Sequence, residues 1–228
     1  MKWWMLLTVL LLVTAGCQRR VEMQATTPFV RDYGTFKLAI LMDLSGSFAE
    51  LMAEDGKGYD FAMQVIEKYA QGRVGASDTI VIGQISGTEK ALLWEGTPIQ
   101  LRQDFANASE FRKFLLSKSS PNGSLVHASI ASAVEYVAND PAVASGRVRP
   151  AVFVLSDMLD NGPEMKETKQ RLVDAFKLLA KRDGLVGIYY VEPQLLTSWR
   201  ESLADAGISD FVVEADIIGR PMLPDFDQ

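Results

Sequence analysis

Cysteine is nearly missing from this chain. Cys17 is the only one in 228 residues, so no internal disulfide can form and a stable fold must rest on its core. Histidine is equally scarce: His127 stands alone, and one His with one Cys excludes a zinc site built from the usual four N and S ligands. Basic residues do not dominate either. Lys and Arg number 23 against 29 Asp and Glu, for a formal net charge of −6, so the clustered positive surface of a nucleic-acid binder is not expected and nucleic acid is excluded as a partner. No apolar run reaches the roughly 20 residues that a membrane-spanning helix needs. There is no Gly-Lys-Ser/Thr phosphate loop, no Gly-x-Gly-x-x-Gly after an apolar run and no Gly-x-Ser-x-Gly elbow, which removes the common nucleotide-binding and serine-hydrolase signatures.

What is present begins with a targeting segment. Met1 to Gly16 carries Lys2, the apolar stretch Trp3 to Val13 and then Thr14-Ala15-Gly16-Cys17, a charge, a short greasy core and small residues in the order of a cleaved export signal. The segment resembles a bacterial lipoprotein signal peptide. That resemblance implies that Cys17 becomes the lipidated, palmitate-bearing first residue of the mature chain and that the protein sits in the cell envelope on a membrane it does not cross. Gln18, where some such proteins carry Asp, implies the periplasmic face of the outer membrane if the source is Gram-negative. Residues 17–34 are polar, non-periodic and broken by Pro28 and Gly34, the composition of a tether.

From Thr35 the chain changes character. Phe36 to Met42, Ile80 to Ile85, Ala151 to Leu155, Leu185 to Val191 and Phe211 to Val213 are short, β-rich and almost continuously apolar, as strands covered on both faces must be. Between them, apolar residues recur at helical spacing: Tyr59, Ala62, Met63, Ile66 and Tyr69; Val126, Ile130, Ala133, Val134 and Val137; Met165, Leu172, Phe176 and Leu179; Leu196, Trp199 and Leu203. Ala91 to Leu101, with Gly96 and Pro98, follows the second strand with no helix between, and predicts an antiparallel edge strand or hairpin. The fold class expected is therefore α/β: a doubly wound, mostly parallel central sheet with one antiparallel edge strand and helices on both faces, spanning 35–215. Residues 216–228, with Pro221 and Pro224, form a C-terminal tail.

In such sheets ligands bind beyond the carboxyl ends of the strands, where strand order reverses. Three polar segments fall there. Asp43-Leu44-Ser45-Gly46-Ser47 places a carboxylate and two hydroxyls on a turn after the first strand. Pro121-Asn122-Gly123-Ser124 brings a hydroxyl to a helix start, and Ser156-Asp157 closes another strand. Oxygen donors of this kind suit Mg²⁺, a hard cation that keeps several of its waters. Two carboxylates brought to one sheet edge would also repel without a cation or a proton between them.

The Asp-x-Ser-x-Ser pattern, the Gly-Ser helix start and the Ser-Asp strand end, in this order, resemble the von Willebrand factor type A (VWA) domain with its metal-ion-dependent adhesion site. The resemblance covers about Thr35 to Ala215. It implies that Ser45, Ser47 and Ser124 ligate Mg²⁺ or Mn²⁺ directly, that Asp43 and Asp157 act through water, and that an acidic side chain of a protein partner completes the shell. Two positions depart from the family pattern: Ser124 stands where Thr is usual, and Met158 where Gly is usual. Asp160 close by either helps to hold the metal, caps the next helix or bonds its own turn.

Two other readings compete. A metal-independent envelope scaffold would use the same fold with a degenerate site, Ser45 and Ser47 capping a helix and Asp43 bonding turn amides. A serine hydrolase would use Ser45, His127 and Asp157 as nucleophile, base and orienting acid, but no local elbow or oxyanion loop supports it and no catalysis is expected. The favoured expectation is a membrane-tethered lipoprotein that recognises a protein partner through a bound cation.

Overall fold

The computed structural model describes residues 35–46, 48–53, 56–71, 78–87, 90–118, 123–162, 166–215 and 221. The expected signal segment, Cys17, the tether, Ser47, Met165 and, apart from Pro221, the tail lie outside them.

The apolar runs form one sheet. Strands β1 (Phe36–Asp43), β2 (Thr79–Ile85), β3 (Leu92–Gly96), β4 (Arg149–Leu155), β5 (Leu185–Val191) and β6 (Asp210–Ala215) lie in the order β3-β2-β1-β4-β5-β6. All neighbours are parallel except β2 and β3. Helices α1 (Lys57–Ala70), α2 (Pro98–Asp104), α3 (Ala108–Lys118), α4 (Val126–Ala138), the short α5 (Pro141–Ala144), α6 (Lys166–Ala180) and α7 (Leu196–Asp205) complete the order of elements. The result is a doubly wound α/β fold.

Alternation along β1 explains its unbroken burial. Leu38, Ile40 and Met42 join a core with Tyr59, Phe61, Ile66 and Tyr69 of α1 and Phe111 and Leu115 of α3. Ala39 and Leu41 face the other way, into a core with Ile130 and Val134 of α4, Leu172 and Phe176 of α6 and Trp199 and Leu203 of α7. A strand with two covered faces can carry no solvated side, hence its nearly continuous apolar sequence, in which Lys37 is buried and paired with Glu95 and Asp140.

The segment after β2 divides where a longer strand or hairpin was expected. β3 does pair antiparallel with β2, Ile82 opposite Trp94, but it stops at Gly96. Thr97 Oγ1 accepts from Gln100 N at 3.2 Å and Gln100 Oε1 accepts from Thr97 N at 2.8 Å, a capping box that starts α2 with Pro98 in its first turn. Pro98, expected within the edge strand or hairpin, is instead the first residue of a helix. α3 was not expected at all; it has only two buried residues, too sparse an apolar stripe to stand out, although Asn107 Oδ1 accepts from Glu110 N at 3.0 Å in the same capping manner.

The loops beyond the carboxyl ends of the strands are tied to one another through backbone bonds. Leu44 N donates to Ile85 O at 3.0 Å, Leu125 N to Ser86 O at 3.0 Å, Asn161 N to Ser124 O at 2.9 Å and Glu192 N to Asp157 O at 3.0 Å. The turn after β1, the end of β2, the segment before α4 and the loop after β4 thus form one edge.

Candidate metal-binding site

Asp43 ends β1 and is fully buried. Its Oδ1 accepts from Ser45 N at 2.9 Å, so the turn after the strand wraps back onto the carboxylate. Its Oδ2 accepts from Ser156 Oγ at 2.7 Å. Met42 pairs with Leu155 in the parallel ladder, so Asp43 and Ser156 are the next step in register, and the bond joins the two strands on either side of the point where the chain winds in opposite directions. Burial raises the Asp43 pKa. Hydrogen bonding from Ser45 and Ser156 counters that, and the charge of Asp157 adds to it.

The structure brings four of the five expected metal-site residues, Asp43, Ser45, Ser124 and Asp157, to this edge; Ser47 is the one outside the described residues. Ser45 and Ser124 are buried, and among the described residues neither hydroxyl has a hydrogen-bond partner. Ser45 Oγ lies beside Asp43 and favours its charged form without reaching hydrogen-bond geometry. Gly123, at φ +94°, makes the turn that leads into Ser124. The cap of α4 falls on Leu125, which makes no side-chain capping bond, so Ser124 lies one residue outside the helix and caps nothing.

The loop after β4 settles where the Met158 side chain goes and what Asp160 bonds. Met158 adopts φ +65°, the left-handed conformation a glycine takes without cost, yet its side chain is only 3% exposed and belongs to the core under α4, α6 and α7. Its amide donates to Ser156 Oγ at 2.9 Å. Asp157 Oδ1 accepts from Leu159 N at 2.9 Å. Asp160 serves protein partners rather than the constellation around Asp43: Oδ1 accepts from Gly162 N at 2.7 Å, and Oδ2 takes His127 N at 3.1 Å together with a short contact to His127 Nδ1. Burial would raise the Asp160 pKa, but the bonds from the His127 ring, the His127 amide and the Gly162 amide outweigh it, and its pKa is lowered.

His127 stacks on Trp199, ring centroids 5.7 Å apart and planes 19° from parallel. Both line a groove of about 500 Å³ with Leu159, Asp160, Phe176 and Leu195, which neither Ser45 nor Asp157 lines. The unpartnered Ser45 hydroxyl makes no bond to His127, whose ring is held by Asp160.

Reasoning from sequence assigned no role to Ser156 itself and overlooked Ser86. Ser86 follows β2 directly, is fully buried and carries another hydroxyl without a partner. The signal for both is their place: each is the first residue after a strand, β4 ending at Leu155 and β2 at Ile85.

Ser45 Oγ, buried and unsatisfied beside the Asp43 carboxylate, and Ser124 Oγ, buried and unsatisfied at the same sheet edge, fit a hard oxygen-seeking cation. Among the described residues no group of three or more His, Cys, Asp and Glu could hold a metal, so such a site would rest on hydroxyls and water around few charges.

The sheet order defines the class at the level of fold: a doubly wound, VWA/Rossmann-like α/β domain. Among solved structures, the chain is similar to the N-terminal domain of TFIIH p34, with a TM-score of 0.55 and 10% identity over 80% of this chain and 91% of that one. It is also similar to the pilus adhesin SpaC from Lactobacillus rhamnosus GG in its open conformation, with a TM-score of 0.52 and 11% identity over 80% of this chain and 28% of that one. Identities this low show a shared fold. No family model matches the chain, and no curated protein matches it.

Proposed function

We propose that this protein is a lipid-tethered envelope protein whose VWA-like domain holds a divalent cation, Mg²⁺ or Mn²⁺, and uses it to grip an acidic side chain of a protein partner. The observation that carries the proposal is the pair of buried, unpartnered hydroxyls, Ser45 Oγ and Ser124 Oγ, at the sheet edge that also carries Asp43 and Asp157. Leaving such groups unsatisfied costs about 1–3 kcal/mol each, and a bound ion with its waters removes that cost. Ser45, Ser124 and Ser47 would be the direct ligands, with Asp43 and Asp157 holding waters of the shell. The ion would supply a positive centre with an open position for a carboxylate, a recognition chemistry that needs no catalytic base.

Calorimetric titration of the full chain in detergent with Mg²⁺ and with Mn²⁺ tests this. Binding is expected in the parent and loss of about tenfold or more in affinity in Ser45→Ala and in Ser124→Ala. No heat from either ion, or unaltered binding in both variants, sinks the proposal. One observation favours the scaffold reading instead: both Asp43 oxygens are already satisfied from within the protein. Under that reading, partner capture from envelope extract would persist in EDTA and in Asp43→Ala; under ours, both abolish it.

A further inference from the structure

Three buried hydroxyls without partners flank two interlocking backbone bonds at this sheet edge. Leu44 N bonds Ile85 O, and Ser45 and Ser86 are the residues that follow each partner. Leu125 N bonds Ser86 O, and Ser124 precedes Leu125. Ser45, Ser86 and Ser124 therefore come from three separate segments, Ser45 beside the first link, Ser124 beside the second and Ser86 at both. Ser86 is 0% exposed, and its Oγ has no hydrogen-bond partner among the described residues.

A hydroxyl shut away from water normally finds a partner within the protein or an ordered water, so an orphan at this place calls for one. Hard cations such as Mg²⁺ bring their own: the ion keeps several waters, each with protons to donate to oxygens around it. We propose that Ser86 belongs to the cation site, its hydroxyl accepting from a water bound to the ion between the turn after β1 and the segment before α4. The ion is thereby contacted from the end of β2 as well as from the three loops with which the site began. This inference rests on the cation-binding reading above.

Ser86→Ala removes one oxygen from a fully buried place and leaves the backbone carbonyl that holds Leu125. If Ser86 waits for an ion-bound water, the variant loses affinity for Mg²⁺ by about tenfold. In EDTA it melts at or above the parent's temperature, because an unsatisfied buried hydroxyl has been deleted. Tyr189→Phe is the control: it deletes another buried, unpartnered hydroxyl, on a side chain packed 4.7 Å from Phe61 in the core under α1, and it should leave Mg²⁺ affinity unchanged.

The measurements are Mg²⁺ calorimetry on the full chain in detergent and thermal melts with EDTA and with Mg²⁺. Parent-like affinity in Ser86→Ala overturns the assignment while leaving the cation site standing. So does an affinity loss accompanied by a lower melting temperature in EDTA, which marks a merely structural serine, or an equal loss in Tyr189→Phe. Absence of Mg²⁺ binding in the parent overturns the cation reading itself, and this inference with it.

Discussion

Asp43 carries the least comfortable charge of the candidate site. Its folded pKa lies above the usual 3.8, with burial as the main cause. Between 3.8 and that raised value the folded state binds more protons than the unfolded one, so the contribution of Asp43 to stability falls as pH rises through the window and stays unfavourable above it. A cation reverses the preference by favouring the charged form, so Mg²⁺ affinity should drop as pH falls through the same window. Asp43→Asn keeps the shape and removes the charge. At pH 8 in EDTA its melting temperature is expected to rise by about 2–4 °C, with no further rise on adding Mg²⁺; a lower melting temperature in EDTA would refute the account of a desolvated charge. Asp160 has the opposite sign: its lowered pKa contributes stability that is present above 3.8 and is lost as pH falls through the folded value. Met158 sets two effects against each other. Holding φ +65° costs a non-glycine residue about 1 kcal/mol or somewhat more, whereas truncating a buried methionine costs about 2–5 kcal/mol. Packing wins, so Met158→Gly should lose about 2 kcal/mol in urea unfolding despite relieving the backbone. Because the side chain belongs to the core, Mg²⁺ affinity should stay within about threefold of the parent in a binding titration.

At the level of elements, short helices depend on their ends. α2 has seven residues and buries only Pro98 and Leu101, so little packing holds it in place. Its start is fixed by the reciprocal Thr97–Gln100 bonds, and removing one should be felt. Thr97→Ala is expected to cost about 1 kcal/mol, seen as a lower urea midpoint with an unchanged slope; an unaltered midpoint would mean that the helix is held by its neighbours alone. α4 solves the same problem with a distant group. Its own N-cap, Leu125, has no side-chain acceptor, and Asp160, 33 residues away, takes the His127 amide instead. This arrangement couples the helix start to the loop after β4 and leaves Ser124 outside the capping bonds. A local cap at Ser124 would have spent the very oxygen proposed for the ion.

The described residues form a two-core sheet with its candidate site at the edge where winding reverses, an arrangement that permits binding chemistry without a deep cavity. No helix among the described residues is long and apolar enough to cross a membrane, and the proposed attachment runs through Cys17. Each buried methylene of an acyl chain contributes about 0.8 kcal/mol, and more than one chain makes the attachment stable. Cys17→Ser should therefore shift the protein out of the membrane fraction and abolish metabolic labelling with palmitate; continued membrane fractionation without label would refute the anchor.

The apolar periodicities by themselves determined the strands, the helices α1, α4, α6 and α7 and the two-sided burial of the sheet, because whether a residue suits a strand or a helix face depends on spacing a few residues long. The capping box at Thr97 is equally local, but the strand-like residues on either side of it hide the helix start. Asp43 and Ser45 were recognisable as a turn for the same reason, since the amide that Asp43 accepts is two residues away. Only the tertiary structure decided what each oxygen does. Ser156 reaches Asp43 across 113 residues, Asp160 is taken up by His127, Met158 turns into the core, and Ser45, Ser86 and Ser124 are left buried without partners. Whether a polar atom is satisfied depends on every group that packs around it, and those neighbours are set by strand order and loop linkage rather than by proximity along the chain.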